Sequence, residues 1–411
     1  GVLMQSVTSI APAIAGMFTL PFIASNAGLA APLAYLGAFV IALFLGYVLA
    51  QFSKHLSSTG SYYTFVSRSL GGRMGFLVAW TYLLFYPVVV AQVGSFMGDT
   101  LSQTLKSQYN IDFPWWIFMV FLIVLCFITG LRGVELSVNL AIVLGILEIV
   151  IVAAVGLTGF LHPGTGGVTT AVFSPGSAPD FHGLFLGVVF AIFAITGWDA
   201  AAPLAEESAD PKRNIPRAVL GSIIILGFFL VFVSWGQISA FNSVDDLTSA
   251  PQLPAFIIGQ QHWGGLWWLI LLALFNSAVA VAIVCTNAAT RFMFGMARAG
   301  ALPNYLLKVH PKHHTPVGAL RIQTVINVLL GLLLPLAIGV ANVYNLTGTW
   351  FTFALAFVYI AANIGLVRFY RREHPDEFNV LKHVVVPAIG SIALIVVVYY
   401  SVVPLPAWPI T

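Results

Sequence analysis

Two acidic residues stand in apolar surroundings, where an ionised side chain is costly, and they are the first candidates for chemistry. Glu148 lies in the apolar stretch 144–151, and Asp199 directly follows the stretch 194–198. Removal from water favours the neutral form of a carboxyl group, so Glu148 could take up and release a proton. A structural carboxyl group hydrogen-bonded to a neighbouring helix is the alternative. Asp199 could bind a substrate amine, relay a proton or cap a helix end.

Other polar residues are weaker candidates for chemistry, because an ordinary structural role explains each of them equally well. Thr286 and Thr290 are four residues apart and could ligate sodium, or they could form hydrogen bonds between helices. Glu206 and Glu207 could form a salt-bridge gate with nearby basic residues, or ordinary ion pairs at a membrane surface. The histidines at 310–314 lack a fixed helical spacing, so we expect no metal site. No phosphate-binding loop or nucleophile motif occurs, so we expect neither an enzyme nor a cofactor.

The elements that must position these residues are membrane-spanning helices. Of the 411 residues, 59% are hydrophobic and only 8% are charged, whereas a soluble domain has roughly 25% charged residues. Apolar blocks recur at about the 20-residue length of a bilayer-spanning helix. The sequence thus predicts an all-α, polytopic membrane protein with about eleven spans. These spans are 2–24, 28–53, 75–104, 115–131, 137–161, 184–204, 217–240, 264–298, 319–339, 344–370 and 383–404.

Basic residues mark the orientation of these spans. Sixteen of the 17 lysines and arginines fall in or beside even-numbered linkers, and only Lys106 falls in an odd-numbered one. The positive-inside rule therefore places the N-terminus and the even linkers in the cytoplasm of a cell-membrane protein. The net charge of +3 reflects this orientation, and we expect lipid, not nucleic acid, as the surrounding partner. We also expect the natural start and a twelfth helix to lie outside this chain.

Small, polar or helix-breaking residues interrupt the first and sixth spans midway. The first span carries Pro12 within 8–16, and the sixth carries Gly197 within 194–199. Two breaks five spans apart are typical of inverted repeats, because a unit with an odd number of spans reverses its second copy. Peptide groups at such breaks can hold a solute, although kinks or close helix packing are the alternative. The candidate binding residues are Ser9, Ile10, Ala11, Ile14, Ala15, Gly16, Phe193, Ile195, Thr196, Gly197 and Trp198.

Several segments resemble the amino acid–polyamine–organocation (APC) superfamily. They are Gly60-Ser61-Tyr62-Tyr63, Leu70-Gly71, Phe193-Ala194-Ile195-Thr196-Gly197-Trp198-Asp199, Ile215-Pro216-Arg217-Ala218 and Met296-Ala297-Arg298-Ala299-Gly300. The resemblance implies a LeuT-type fold with two inverted five-helix repeats. The repeats would be 1–161 and 184–370, followed by an additional transmembrane helix at 383–404. A titratable fifth-helix residue carries the coupling proton in some members, and Glu148 is similar to it in position.

The resemblance also implies a function. We expect secondary active transport of an amino acid by alternating access, coupled as symport to a proton carried by Glu148 or Asp199. A polyamine or amine carrier and an amino acid exchanger are the alternatives among transporters. A channel is less favoured, because no filter-like repeat or ring of charge occurs.

Overall fold

The chain forms a helical membrane protein in a computed structural model that describes residues 2–56, 60–133, 138–199, 208, 210–250 and 252–403. Within these ranges, nine apolar helical segments are long enough to cross a bilayer. The segment Ser6–Ser53 contains both the first and the second predicted spans, and the sixth span begins with the shorter apolar helix Phe181–Ile195. The predicted all-α, polytopic class is therefore confirmed.

The α-helices are numbered in chain order. They are α1 Val2–Ile10, α2 Thr19–Ala27, α3 Ala31–Ser53, α4 Ser61–Leu70, α5 Gly72–Leu83, α6 Tyr86–Tyr109, α7 Trp115–Arg132, α8 Val138–Leu161, α9 Phe181–Ile195, α10 Pro211–Ser239, α11 Val244–Thr248, α12 Pro254–His262, α13 Trp268–Arg298, α14 Val317–Val328, α15 Leu334–Ile338, α16 Val340–Glu373 and α17 Val386–Val402. Three π-helical segments, Ile14–Phe18, Leu329–Leu333 and Leu381–Val385, precede α2, α15 and α17.

One compact unit contains the residues predicted to bind the solute. It consists of the described residues within 1–59, 139–277 and 370–404. Within it α3 lies against α9, α10 and α17, and α1 lies against α10. Small residues permit the close approach of α3 and α10, because a Cβ added at Gly227 would overlap the ring of Phe39 and one at Gly46 would overlap Ile223.

A second compact unit consists of residues 60–138 and 278–369 among those described. The predicted span 75–104 is divided here into α5 and α6 at Leu84 and Phe85, and Pro87 is the second residue of α6. Proline in the first turn of α6 lacks an amide donor and therefore favours a new helix start at this point. Within this unit α7 packs on α6 and α14.

Candidate functional site

The first helix breaks at Ala11. Helix α1 ends at Ile10, and Ala11 adopts a left-handed conformation with φ of 54°. Pro12 explains the position of the break, since a proline disfavours the α conformation of the residue before it and donates no hydrogen bond itself. The chain then continues as the π-helix Ile14–Phe18, which leads into α2. The sequence correctly predicts an interruption between residues 8 and 16.

The sixth predicted span breaks after α9. The backbone of Thr196 is extended, and Gly197 has a φ of 138°, a conformation that L side chains rarely adopt. The carbonyl oxygen of Ile192 accepts both the backbone N–H of Thr196 at 3.1 Å and its hydroxyl at 2.7 Å, so Thr196 closes the last turn of α9. Trp198 and Asp199 form a helical turn immediately after Gly197. Glu206 and Glu207 lie outside the described residues.

The two breaks meet in the first unit. A Cβ added at Gly197 would lie 2.7 Å from the carbonyl oxygen of Ser9 and 2.9 Å from the backbone nitrogen of Ile10. The hydroxyl of Ser6 donates to the carbonyl oxygen of Trp198 at 3.1 Å. Residues predicted from two distant stretches of sequence are therefore adjacent at the point where both helices are interrupted.

Most of the predicted binding residues are buried. Phe193 and Gly197 are half-buried, and the remaining members are buried, namely Ser9, Ile10, Ala11, Ile14, Ala15, Gly16, Ile195, Thr196 and Trp198. Ile10, Ile14 and Ile195 give this region apolar side chains beside the interrupted backbone. Asp199 is also buried, with 4% of its surface exposed, next to the wholly buried Trp198.

Glu148 forms hydrogen bonds both to the break in the first helix and to two residues of α13. Its Oε1 atom accepts hydrogen bonds from the backbone N–H of Ala13 at 2.8 Å and from the hydroxyl of Ser277 at 2.7 Å. Its Oε2 atom accepts one from the side-chain amide of Asn276 at 2.8 Å. The carboxyl group thus occupies the N-terminal end of the half-helix that follows Pro12, where a negative charge is favourable.

Two further side chains hold the carbonyl groups of the π-helix. The hydroxyl of Tyr35 donates to the carbonyl oxygen of Ala15 at 2.5 Å, and the side-chain amide of Gln237 donates to that of Gly16 at 2.7 Å. Sequence reasoning missed both residues. A buried glutamine in the apolar helix α10 is a detectable signal, whereas Tyr35 resembles any other transmembrane aromatic residue.

The polar residues of span eight have different surroundings. Asn276 and Ser277 bind Glu148, while the hydroxyl of Thr290 donates to the carbonyl oxygen of Asn287 at 2.9 Å within the same helix. Thr290 therefore makes the kind of local hydrogen bond that transmembrane threonines commonly form.

A separate cavity of about 1120 Å³ lies in the second unit. Its lining is largely apolar and includes Trp80, Leu84, Trp350 and Phe357, and none of the predicted binding residues belongs to it. Few of its groups could pair with the two charges of an amino acid, so this cavity is a poor candidate for the transport site.

Together, the apolar spans and the buried polar groups at two interrupted helices define a multi-pass membrane protein of the transporter class. The amino acid permease family matches residues 2–410, so the chain belongs to that family. The predicted resemblance to the APC superfamily is confirmed.

Individual relatives carry names of transporters for different solutes. The branched-chain amino acid permease BcaP of Bacillus subtilis (strain 168) is 27% identical over 90% of this chain and 80% of its own length. The low-affinity putrescine importer PlaP of Escherichia coli (strain K12) is 28% identical over 69% of this chain and 63% of its own. The Asc-type amino acid transporter 1 of Mus musculus is 25% identical over 66% of this chain and 52% of its own length. The chain therefore spans about half to two-thirds of the latter two relatives.

Proposed function

We propose that this protein is a secondary active transporter that carries an apolar amino acid together with a proton. The observation on which this rests is the hydrogen bond from the Ala13 N–H to Glu148, because it joins a titratable group to the break in the first helix. Membership of the amino acid permease family supports amino acid transport in general. Proton coupling rests on Glu148 and its contacts.

The solute would bind where the two breaks meet. Its carboxylate would be held by backbone N–H groups of residues 14–16, and the Ala15 N–H would first have to leave the carbonyl oxygen of Ala11, to which it donates at 2.9 Å. Its amine would be attracted by the carboxyl group of Asp199, which is buried beside the second break. Ile10, Ile14 and Ile195 would contact an apolar side chain, which agrees with the name of the branched-chain relative.

A proton on Glu148 would change the contacts of the first half-helix. Two carboxylate oxygens accept three donors here, and an ionised carboxylate can satisfy all three. A protonated carboxyl group carries a donor of its own, and its protonated oxygen accepts hydrogen bonds more weakly, so protonation weakens the contacts made at that oxygen. Protonation and the position of the Ala13 backbone are therefore linked, and this linkage would couple the proton to solute binding.

Alternating access would follow from two inverted five-helix repeats, 1–161 and 184–370, with one group of helices rocking against the other. The distribution of lysine and arginine suggests, separately, that the N-terminus lies in the cytoplasm and the spans in the cell membrane. Labelling of Lys106→Cys by an impermeant maleimide in right-side-out vesicles tests this orientation. Protection of that cysteine would contradict it.

Uptake into proteoliposomes tests substrate and coupling together. We expect radiolabelled leucine to accumulate when a pH gradient, inside alkaline, is imposed, and not with a sodium gradient alone. Glu148→Gln should lose roughly tenfold or more of this accumulation while retaining exchange of labelled for unlabelled leucine, because binding survives but coupling does not. Asp245→Asn, which changes an exposed carboxylate outside the spans, is the matched control and should behave as the wild type.

Four outcomes would overturn parts of this proposal. Sodium-driven accumulation, or pH-driven accumulation that persists in Glu148→Gln, would exclude Glu148 as the coupling group. Accumulation of putrescine without leucine would favour an amine carrier, the alternative to which the putrescine importer points. Exchange without net accumulation under any gradient would favour an exchanger.

A further inference from the structure

Three potential metal ligands come together at one end of the first unit, away from the two helix breaks. His55 follows α3, His374 follows α16, and Glu377 ends the short 3₁₀ helix Pro375–Glu377. The candidate ligand atoms of these three side chains all lie within 4.8 Å of one another. More than 300 residues of sequence separate His55 from the other two, so spacing along the chain predicts no metal site here.

The carboxylate of Glu377 lies against both imidazoles. Its Oε2 atom is 3.2 Å from Nε2 of His55, and its Oε1 atom is 3.9 Å from Nδ1 of His374. The two imidazole rings are stacked with their centroids 3.9 Å apart and an angle of 30° between their planes. The side chains of His55, His374 and Glu377 are 19%, 29% and 57% exposed, so the cluster is open to solvent at Glu377, whereas Nε2 of His55 is buried behind it.

We propose that His55, His374 and Glu377 bind a divalent transition-metal ion of the zinc type. Two imidazole nitrogens and one carboxylate oxygen, with water in the fourth position, form a common tetrahedral ligand set for zinc. Tetrahedral ligands about 2.0 Å from zinc lie about 3.3 Å apart, so a separation of 4.8 Å must close by about 1.5 Å. Rotation of the exposed Glu377 side chain can supply most of that movement.

Neighbouring aromatic rings help to orient the two histidines. Tyr370 lies edge-on to His55 with ring centroids 5.5 Å apart, and it also contacts His374 at 5.9 Å. Such ring contacts restrict rotation of the two imidazole rings, and this favours binding of the metal ion. Two nearby cations oppose the binding of a metal ion. The charge of Lys212 acts on His55, and Lys54 precedes His55 in the sequence. The ammonium group of Lys54 donates to the side-chain oxygen of Gln51 at 3.1 Å.

A second histidine group in the chain provides a contrast. The Nδ1 atom of His310 already accepts the backbone N–H groups of Lys312 and His313, at 3.3 and 3.2 Å. That nitrogen is occupied within its own loop. We therefore expect zinc to select the cluster around Glu377, and the loop histidines provide a matched control.

The ion would tie together the ends of α3 and α16. Because a ligand that binds only the folded state stabilises it, zinc should raise the unfolding temperature of the protein. The test uses the full chain, purified on a tag without histidine, in detergent or nanodiscs. Zinc chloride is titrated by calorimetry, and cobalt chloride is titrated by absorption, because tetrahedral cobalt has a distinctive visible spectrum.

We expect saturable binding of one ion per chain and a rise in unfolding temperature. His374→Phe retains a ring against His55 but removes a ligand, and Glu377→Gln removes the charge. Each should weaken binding by about tenfold or more and abolish the thermal shift. The double variant His310→Ala/His313→Ala should bind as the wild type does. Folding of each variant is checked by its unfolding temperature without metal.

Two results would overturn the proposal. One is the absence of saturable binding by the wild type at micromolar zinc, which would leave the cluster as a polar contact between Glu377 and the two histidines. The other is binding that survives His374→Phe and Glu377→Gln but is lost in the double variant of the loop. Neither result depends on whether the protein transports amino acids.

Discussion

Glu148 illustrates how one buried side chain can serve both structure and chemistry. It is 3% exposed and satisfies the N–H of Ala13, a donor released by the break at Pro12. The sequence indicated a costly carboxyl group in the fifth span and left open a bond to a neighbouring helix. The structure shows such bonds, to Asn276 and Ser277, and adds the backbone of the first helix as a partner. Its role in proton coupling stays a prediction.

Gly197 provides a test at the scale of a single residue. We expect Gly197→Ala to destabilise the protein by about 1–3 kcal/mol and to reduce leucine uptake, because it adds a Cβ close to Ser9 in a backbone conformation unfavourable for alanine. Denaturant unfolding in micelles and initial rates in proteoliposomes measure the two effects.

Gly295→Ala is the control for that change. Gly295 lies within helix α13, and nothing within 4 Å would meet an added Cβ, so stability should be unchanged or slightly higher. A Gly197→Ala protein with normal stability and normal uptake would show that close contact between the two breaks is unnecessary.

The π-helix Ile14–Phe18 is the element on which the proposed solute site depends. Hydrogen bonds from Tyr35 on α3 and Gln237 on α10 hold two successive carbonyl groups of this segment. A widened helical turn leaves carbonyl groups without their usual partners, and in lipid such groups must be satisfied by other protein groups. These two side chains therefore position the backbone that would contact the solute.

Removal of both donors tests this element. Tyr35→Phe and Gln237→Leu should each destabilise the protein by about 1–2 kcal/mol, since each removes a hydrogen bond to a buried carbonyl oxygen. The double variant should depart from the sum of the two by about 0.5 kcal/mol or more, because both donors act on one turn. Denaturant unfolding measures all three variants.

Tyr399→Phe, at a tyrosine with 54% of its surface exposed, serves as the control and should have little effect. Strict additivity of Tyr35→Phe and Gln237→Leu, with normal uptake in both, would indicate that the π-helix does not need these contacts.

Much of the element order could be predicted from hydropathy, and the reason is physical. Spans are long apolar blocks, and α7, predicted at 115–131, forms as Trp115–Arg132. The break in the first span was also predictable, since Pro12 acts on its immediate neighbours. The division between α5 and α6 was missed, because a single proline in a transmembrane block is compatible with either a kink or a new helix.

Contacts between distant parts of the chain could not be predicted at the scale of the whole molecule. The bond from Ala13 to Glu148 joins residues 135 positions apart, and that from Gln237 to Gly16 joins residues 221 apart. Hydropathy determines that helices form, but it does not specify which helix faces which. The inverted repeats 1–161 and 184–370 therefore remain a proposal derived from resemblance and from the positions of the two breaks.

The central claim is that an amino acid binds where the interrupted first and sixth spans meet. A pair of density maps of the protein in nanodiscs, with and without saturating leucine, tests it most directly. The account predicts that leucine density lies between residues 9–16 and 193–199, with its carboxylate toward residues 14–16. Leucine density elsewhere, or continuous helices through both segments, would contradict it.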